Sequence, residues 1–525
     1  MEWSEPPGSL ERRVGAFSLA TLISRVLGLV REVVFAYLFG AGRETDSFFV
    51  AFRIPNLLRD LFAEGGLSAA FVPTFTGYLT KKGKSEAFRL AYITVNLLLV
   101  VVGGLVIVGM LAAPYLVRII AYGFGTVPGK TALTVTMTRF VFPFLLLVSL
   151  AALAMGILNS LKHFFTPAIA PAGFNLSIIA AGFLIAPLMP RIGLEPIVGM
   201  ALGAVIGGAL QVGIQIPLLA REGMRYEPIL DLSHPGLREI GALFFPVTIG
   251  LMASKVNMVV NTSLASLLEE KTVSYLTYSY RVMNFPLGVF GIAVATVALP
   301  SLSYAASRND MGELKKMLTR GFRLSLFLMI PSSVFLIFLS KPVTAIIYEH
   351  GKFTAFHTES TSQALVLYSA GLFALASVRL LAYCFYSLRD AKTPMKISFL
   401  SVAANILLNL LLMHRIGFRA FAVSASCAAV LNMSLLLWLL RRRIGELRGI
   451  ELTSFSFKVV IGALGMVLCT SLIFHRFPST LGFIVGSGIG IVMFFVISEL
   501  WGLPEGEMVR NLLLRPSSIW RQKGS

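Results

Sequence analysis

The chain has 525 residues, of which 56% are hydrophobic and only 14% charged, and a mean hydropathy of +0.80. That excludes an ordinary soluble globular protein. A net charge of +19 would point a soluble protein toward nucleic acid, but these basic residues lie mostly in short loops between apolar runs, as membrane orientation requires.

Residues 1–9 are polar and Pro-rich, and the first apolar run contains arginines and no small-residue cleavage site, so the N-terminus reads as retained. Helical spans are expected at 14–38, 46–79, 88–113, 133–158, 166–189 and 196–220, then at 237–268, 272–306, 321–340, 362–388, 396–414 and 419–440. A last pair is expected at 455–474 and 480–501. The fold class is therefore an all-α polytopic membrane protein with 14 transmembrane helices; a β-barrel would show short alternating segments instead. Pro55, Pro143 and Pro286 fall inside spans and should kink or break them. With both termini in the cytoplasm, the cytoplasmic segments collect most of the 45 lysines and arginines, among them Lys81, Lys82, Lys84 and Arg441–Arg443. The tail after the last span, with Arg510, Arg515, Trp520, Arg521 and Lys523, reads as an interfacial basic segment on anionic lipid or as a disordered one.

The sequence echoes itself. Val72-Pro73-Thr74-Phe75 recurs as Leu299-Pro300-Ser301-Leu302, Ser160-Leu161-Lys162 as Ser387-Leu388-Arg389, and Thr166-Pro167 as Thr393-Pro394, each at an offset of 227 residues. A shift of six spans preserves membrane orientation, so the halves read as parallel repeats. The expected organisation is two pseudo-symmetric six-helix lobes, 1–227 and 228–450, followed by 451–525 with the final helix pair and basic tail.

The charged residues inside spans carry the functional argument. A charge at the bilayer centre costs about 2.5–3.5 kcal/mol even on insertion scales, so those of spans one and two must face protein, water or each other. On span one, Arg25, Gly28 and Glu32 share a face, with Ser24 and Arg31 on an adjoining one. On span two, Arg53, Asn56, Asp60 and Glu64 form a stripe with Arg59 beside it, and Asp46 opens the span. Four arginines here meet four carboxylates. In the second half, Lys255, Arg281 and Arg379 lie in spans whose interiors hold no carboxylate, which makes an anion their natural partner. Arginine suits a pyrophosphate or carboxylate because its planar fork binds bidentately. The plain alternative for these cations is structural pairing or snorkelling to an interface.

Enzymatic readings fare poorly. Gly123–Thr131 imitates a P-loop, but Phe124 stands where glycine is needed and the stretch is an external loop. The three cysteines (Cys384, Cys427, Cys469) lie in apolar runs and the six histidines are scattered, so no metal motif is suggested. With no nucleophile motif either, the reading is a carrier, not an enzyme, with no cofactor.

The stretches SRVLGLVRE, FGAGRETDSFFVAFRIPNLLRDLFAEGGLSAAFVP and YRVMNFPLGVFGIAVATVALPSLS closely resemble the MurJ/MviN family of lipid II flippases, within the multidrug/oligosaccharidyl-lipid/polysaccharide exporter superfamily. The resemblance implies a bacterial inner-membrane protein that moves undecaprenyl-pyrophosphate-linked disaccharide-pentapeptide to the outer leaflet for peptidoglycan synthesis. It implies cavity roles for Ser24, Arg25, Arg31, Asp46, Arg59, Glu64 and Arg281; Glu32 stands where the family often has Asp. It also implies a lipid-tail groove between the last two spans. The expected head-group ligands are Arg31, Arg59, Arg281, Arg25 and Ser24, with Glu32, Asp46, Arg53, Asp60 and Glu64 in gating or structural ion pairs, and Lys255 and Arg379 as additional cavity cations. Some members are proposed to couple to sodium through second-lobe carboxylates, whereas this chain has Asn261, Asn405 and Asn409. The coupling agent stays open between membrane potential, sodium and proton. The expected partners are lipid II and membrane lipids, not nucleic acid, and the expected state is a monomer. An exporter of another undecaprenyl-linked saccharide, such as an O-antigen or capsule unit, is the alternative.

Overall fold

The computed structural model describes residues 9–59, 67–445 and 449–506. Among these residues it is helical throughout, without a strand. Ten helical stretches are long and apolar enough to cross a membrane: 84–120, 130–160, 165–184, 198–221, 311–338, 355–387, 392–416, 419–444, 452–476 and 480–500. The protein is a multi-pass membrane protein. Its expected basic tail beyond 506, and Asp60 and Glu64 of the second expected span, lie outside the described residues.

Two compact units form, one from 1–274 with 350–354 and one from 275–349 with 355–525. In the first unit, α1 (Ser9–Phe39) ends at Gly40, whose φ of +64° turns the chain into α2 (Arg43–Arg59). Glycine tolerates that left-handed conformation without a Cβ clash. Then come α3 (Ser68–Lys81), α4 (Lys84–Ile120), α5 (Lys130–Val141), α6 (Pro143–Ser160), α7 (Phe165–Leu184), α8 (Val198–Gly213), α9 (Ile216–Arg221) and α10 (Pro235–Ser266). Its apolar centre is a run of phenylalanines: Phe35 meets Phe48 at 4.8 Å, Phe52 meets Phe144 at 5.5 Å, and Phe144 meets Phe174 at 5.1 Å between ring centroids. These rings brace α1, α2, α6 and α7 against one another. Aromatic pairs at such separations add to area burial.

Residues 275–286 belong to the second unit and to α11 (Thr272–Pro286), which passes through a π-helical turn at Leu287–Gly291 into α12 (Ile292–Ser307). Beyond it run α13 (Met311–Phe338), α14 (Ser340–Tyr348), α15 (Ala355–Ser369), α16 (Leu372–Ser387), α17 (Lys392–Ile416), α18 (Arg419–Ile444), α19 (Gly449–Arg476) and α20 (Thr480–Leu500). Several helix starts are visible in the sequence: the Asp310 side chain accepts from the Glu313 N–H at 2.9 Å, and Ser479 from the Gly482 N–H at 3.0 Å. Both are ordinary N-caps. The last helix, α20, packs on α13 through Phe494 against Phe327 (5.1 Å) and Phe483 against Phe335 (6.0 Å).

The three prolines behave differently. Pro143 opens a new helix after Val141, because its ring lacks the N–H that would continue α5. Pro286 ends α11 at the π-helical turn, whereas α2 runs through Pro55 to Arg59.

The sequence echo extends to backbone geometry. After α6, Lys162 takes a φ of +67°, with His163 N–H donating to Leu158 O at 2.8 Å. After α16, Arg389 takes +58°, with Asp390 N–H donating to Phe385 O at 2.9 Å. These are the same helix-terminating turn. Thr76 donates to the Ser160 hydroxyl at 3.2 Å, and at the matching positions the Ser303 and Ser387 hydroxyls lie 3.1 Å apart.

Outside the spans, Glu222 ties the first unit together after α9: one carboxylate oxygen accepts from Lys84 Nζ at 2.7 Å, while the other sits 2.7 Å from His163 Nε2. These two contacts hold the Glu222 carboxyl below the usual carboxylate range, against a smaller opposing effect of burial.

Candidate functional site

α1 is an apolar helix interrupted by charge, and α7 supplies what that charge needs. Arg31 Nε and Nη2 both donate to Glu32 Oε1, at 3.1 and 2.5 Å, and Nη1 donates to Asn175 Oδ1 on α7 at 3.0 Å. The other end of the Asn175 amide donates to the Ser24 carbonyl at 3.0 Å. Gly28 lies beside that amide, where a Cβ would make an ordinary contact at 3.5 Å from Asn175 Nδ2. Phe174 presents its ring to the guanidinium, 5.7 Å from centroid to Cζ. The Glu32 side chain is 8% exposed, but that of Arg31 is 23% exposed, so the cation keeps an open side.

Arg59, at the end of α2, is within electrostatic reach of Arg31, and both are cations. Ser24, Arg31, Glu32 and Asn175 thus form one contact network, with Arg59 nearby. Arg25, one residue beyond Ser24, is exposed. Arg53 on α2 donates to the Thr262 hydroxyl of α10, which in turn donates to Met258 O at 2.7 Å.

Asp46 lies in a second, closed cluster. Its carboxylate accepts from Lys130 Nζ at 2.8 Å and from the Lys271 N–H at 2.9 Å. It also accepts from the Ser274 N–H at 2.8 Å and the Ser274 hydroxyl at 2.5 Å. The Lys130 and Asp46 side chains are 3% and 1% exposed, and Lys130 Nζ stands 4.1 Å from the Phe124 ring centroid. An anion bound by N–H groups at the first turn of a helix is favoured by the helix dipole. Lys130 comes from the stretch that imitates a P-loop; it starts α5 after Gly129, whose φ is +73°.

In the second unit, Arg281 of α11 is half-buried and within electrostatic reach of Tyr348, whose buried ring packs 4.8 Å from that of Tyr278. Arg379 of α16 is exposed. Asn405 and Asn409 are buried on α17, 3.4 Å apart between amide nitrogen and oxygen. Lys255 of α10 is half-buried in the first unit. Against α13, the pair α19–α20 leaves an apolar groove of about 660 Å³, lined by Phe338, Ile461, Leu464, Leu468, Ile497 and Trp501. No group of histidines, cysteines and carboxylates among the described residues could hold a metal.

Of the residues singled out in the sequence, Arg31, Glu32 and Arg59 lie near one another and Asp46 stands in the second cluster, whereas Asn175, Lys130, Ser274 and Thr262 were overlooked. The overlooked residues are uncharged or stand far away in the chain; a lone Asn inside the apolar α7 was the available signal.

Residues 35–492 match the sequence family described as Lipid II flippase MurJ. The chain is 34% identical over 464 residues to a probable lipid II flippase MurJ of Buchnera aphidicola, covering 88% of this chain and 89% of that one. It is 36% identical over 427 residues to the lipid II flippase MurJ of Burkholderia cenocepacia, covering 81% and 82%. A solved lipid II flippase MurJ in an inward closed conformation superposes with a TM-score of 0.76 at 27% identity, covering 92% of this chain and 98% of that one. An inward-facing multidrug resistance MATE transporter of the MOP superfamily shares the fold, with a TM-score of 0.67 at 14% identity over 83% of this chain and 99% of that one. By sequence and by structure alike, the chain belongs to the lipid II flippase MurJ family.

Proposed function

We propose that the protein is a lipid II flippase of the bacterial inner membrane, carrying the undecaprenyl-pyrophosphate-linked peptidoglycan precursor from the cytoplasmic to the outer leaflet. The observation that carries this reading is the Arg31 cluster: a partly open guanidinium on α1, held by a carboxylate and an amide, with a second guanidinium at the end of α2 within electrostatic reach. A pyrophosphate offers two phosphate groups, one for each guanidinium. Arg31 and Arg59 supply forked donors for that pyrophosphate, with Arg281 as a further ligand. Ser24 and Arg25 border the site, and Lys255 and Arg379 add positive potential. The prenyl tail lies in the groove of α19 and α20, where transfer from lipid costs little because both surroundings are apolar.

Transport proceeds by alternating access of two six-span repeats, 1–227 and 228–450, in a 14-span protein with both termini cytoplasmic; 451–525 adds the final pair and the tail. Asp46, with Lys130, closes one gate, and Arg25, Arg53, Asp60 and Glu64 exchange partners as it opens. The membrane potential, worth about 2.3 kcal/mol per charge per 100 mV, resets the emptied basic site. The protein works as a monomer and needs no cofactor.

Native mass spectrometry of the purified protein tests this. Lipid II is offered beside an undecaprenyl-pyrophosphate lipid bearing a different sugar, with Arg281→Ala alongside. Preferential binding of lipid II, weakened in the variant, is expected. Equal binding of the two lipids would transfer the reading to a broader exporter of undecaprenyl-linked saccharides, and binding of neither would overturn it.

A further inference from the structure

Arg31 has five N–H donors, and three donor contacts are engaged: two to Glu32 and one to Asn175. Asn175 is 7% exposed and joins two elements, taking the guanidinium with its oxygen and giving its nitrogen to the Ser24 carbonyl of α1. Both ends of the amide are thereby fixed, so its orientation, and that of the guanidinium plane it holds, is set from α7. The chemistry of the amide matters as much as its place. Glu32 already offsets one positive charge, and a second carboxylate on Arg31 would compete with an anion for its remaining donors. An amide orients the fork while leaving its charge available.

We propose that Asn175 is a positioning residue for substrate binding: it aims the Arg31 guanidinium at the anionic group of the substrate without neutralising it. This rests on the reading of Arg31 as a pyrophosphate ligand, and it adds a residue that no charge pattern in the sequence reveals.

Asn175→Asp is the decisive variant. It is isosteric and retains an acceptor for Arg31 but loses the donor to the Ser24 carbonyl, so the comparison with and without Arg31 decides between a positioning and a purely structural role. In a positioning role, the new carboxylate pairs with Arg31 and competes with substrate. The measurement is lipid II affinity of the purified full-length protein by native mass spectrometry, for Asn175→Asp and Asn175→Ala, each alone and combined with Arg31→Ala, with melting temperatures as the folding control. Asn175→Asp is expected to weaken lipid II binding about tenfold or more, and Asn175→Ala about three- to tenfold, the scale of one hydrogen bond to a charged group. In the Arg31→Ala background both changes should fall within about twofold of that parent, since residues acting through one group are not additive.

Weakened binding in Arg31→Ala with unchanged binding in Asn175→Asp would overturn the positioning role and leave the Arg31 site intact. Equal losses with and without Arg31 would overturn it too, by showing that Asn175 acts independently. Normal lipid II binding by Arg31→Ala itself would instead overturn the pyrophosphate reading on which the proposal stands. If Asn175→Asp does not fold, Asn175→Ala carries the same comparison in both backgrounds.

Discussion

The first unit contains two charged clusters that differ in how completely they are satisfied. Asp46 accepts four hydrogen bonds and pairs with a lysine that is 3% exposed. Arg31, by contrast, is 23% exposed, leans on one carboxylate and one amide, and lies within reach of a second arginine. Both are ion pairs inside a membrane protein, yet the Asp46 carboxylate has its acceptor sites filled, whereas the Arg31 guanidinium keeps donors to spare. A saturated pair fixes structure; a pair with donors to spare and an open side is fitted to take a ligand. On the proposed function, the contrast is that between a lock and a binding site.

Removing one partner from the closed cluster should produce the largest change. Lys130→Ala strands a buried carboxylate and Asp46→Ala a buried ammonium; either should destabilise the protein by about 3–5 kcal/mol, read from the unfolding midpoint in detergent. A variant that melts like the parent would erase the distinction between the clusters. Arg31→Lys should behave in the opposite way. It keeps the charge and loses the fork, so lipid II affinity should fall about tenfold with the melting temperature nearly unchanged; a large stability loss would show that Arg31 is a second lock.

A control lies in the second unit. Arg323 of α13 makes a two-pronged pair with Glu505, at 2.6 and 3.2 Å, under the Phe455 ring. Arg323→Ala should lower stability by about 1.5–3 kcal/mol with little effect on lipid II affinity, as measured by the same two assays. The smallest effect belongs to Glu222. Its carboxyl is held below its ordinary value, so its contribution is present at neutral pH and is lost as pH falls through and below about 4.3. The contribution should be under about 1 kcal/mol for so exposed a group. Glu222→Gln should flatten that part of the melting-temperature profile between pH 6 and pH 3, and an unchanged profile would count against the tie to Lys84 and His163.

Much of this was legible in the chain. Apolar length marks the helices, and the expected 396–414 and 480–501 lie within a few residues of α17 and α20. The Ser160/Ser387 echo proved to be a repeated turn with repeated hydroxyl contacts. Arg31 and Asp46 stood out because charge in an apolar helix is costly. Their partners did not. Lys130 is 84 residues from Asp46, and Asn175 is 144 from Arg31. Pairing at that separation is decided by how helices pack, which periodicity along one helix does not encode. Lys130 in particular read as part of an external loop, because a lysine after Gly129 looks solvated until the fold buries it. The contact of Arg53 with Thr262, 209 residues away, has the same origin.

Transport itself gives the most direct test of the open cluster. Purified protein is reconstituted into sealed proteoliposomes with lipid II in one leaflet, and its arrival in the other is followed for the parent, Arg31→Ala and Arg281→Ala, with folded protein quantified in each preparation. Loss of lipid II movement in both variants, at parental levels of folded protein, is the predicted result. Normal movement by either variant would contradict the assignment of that arginine to the pyrophosphate.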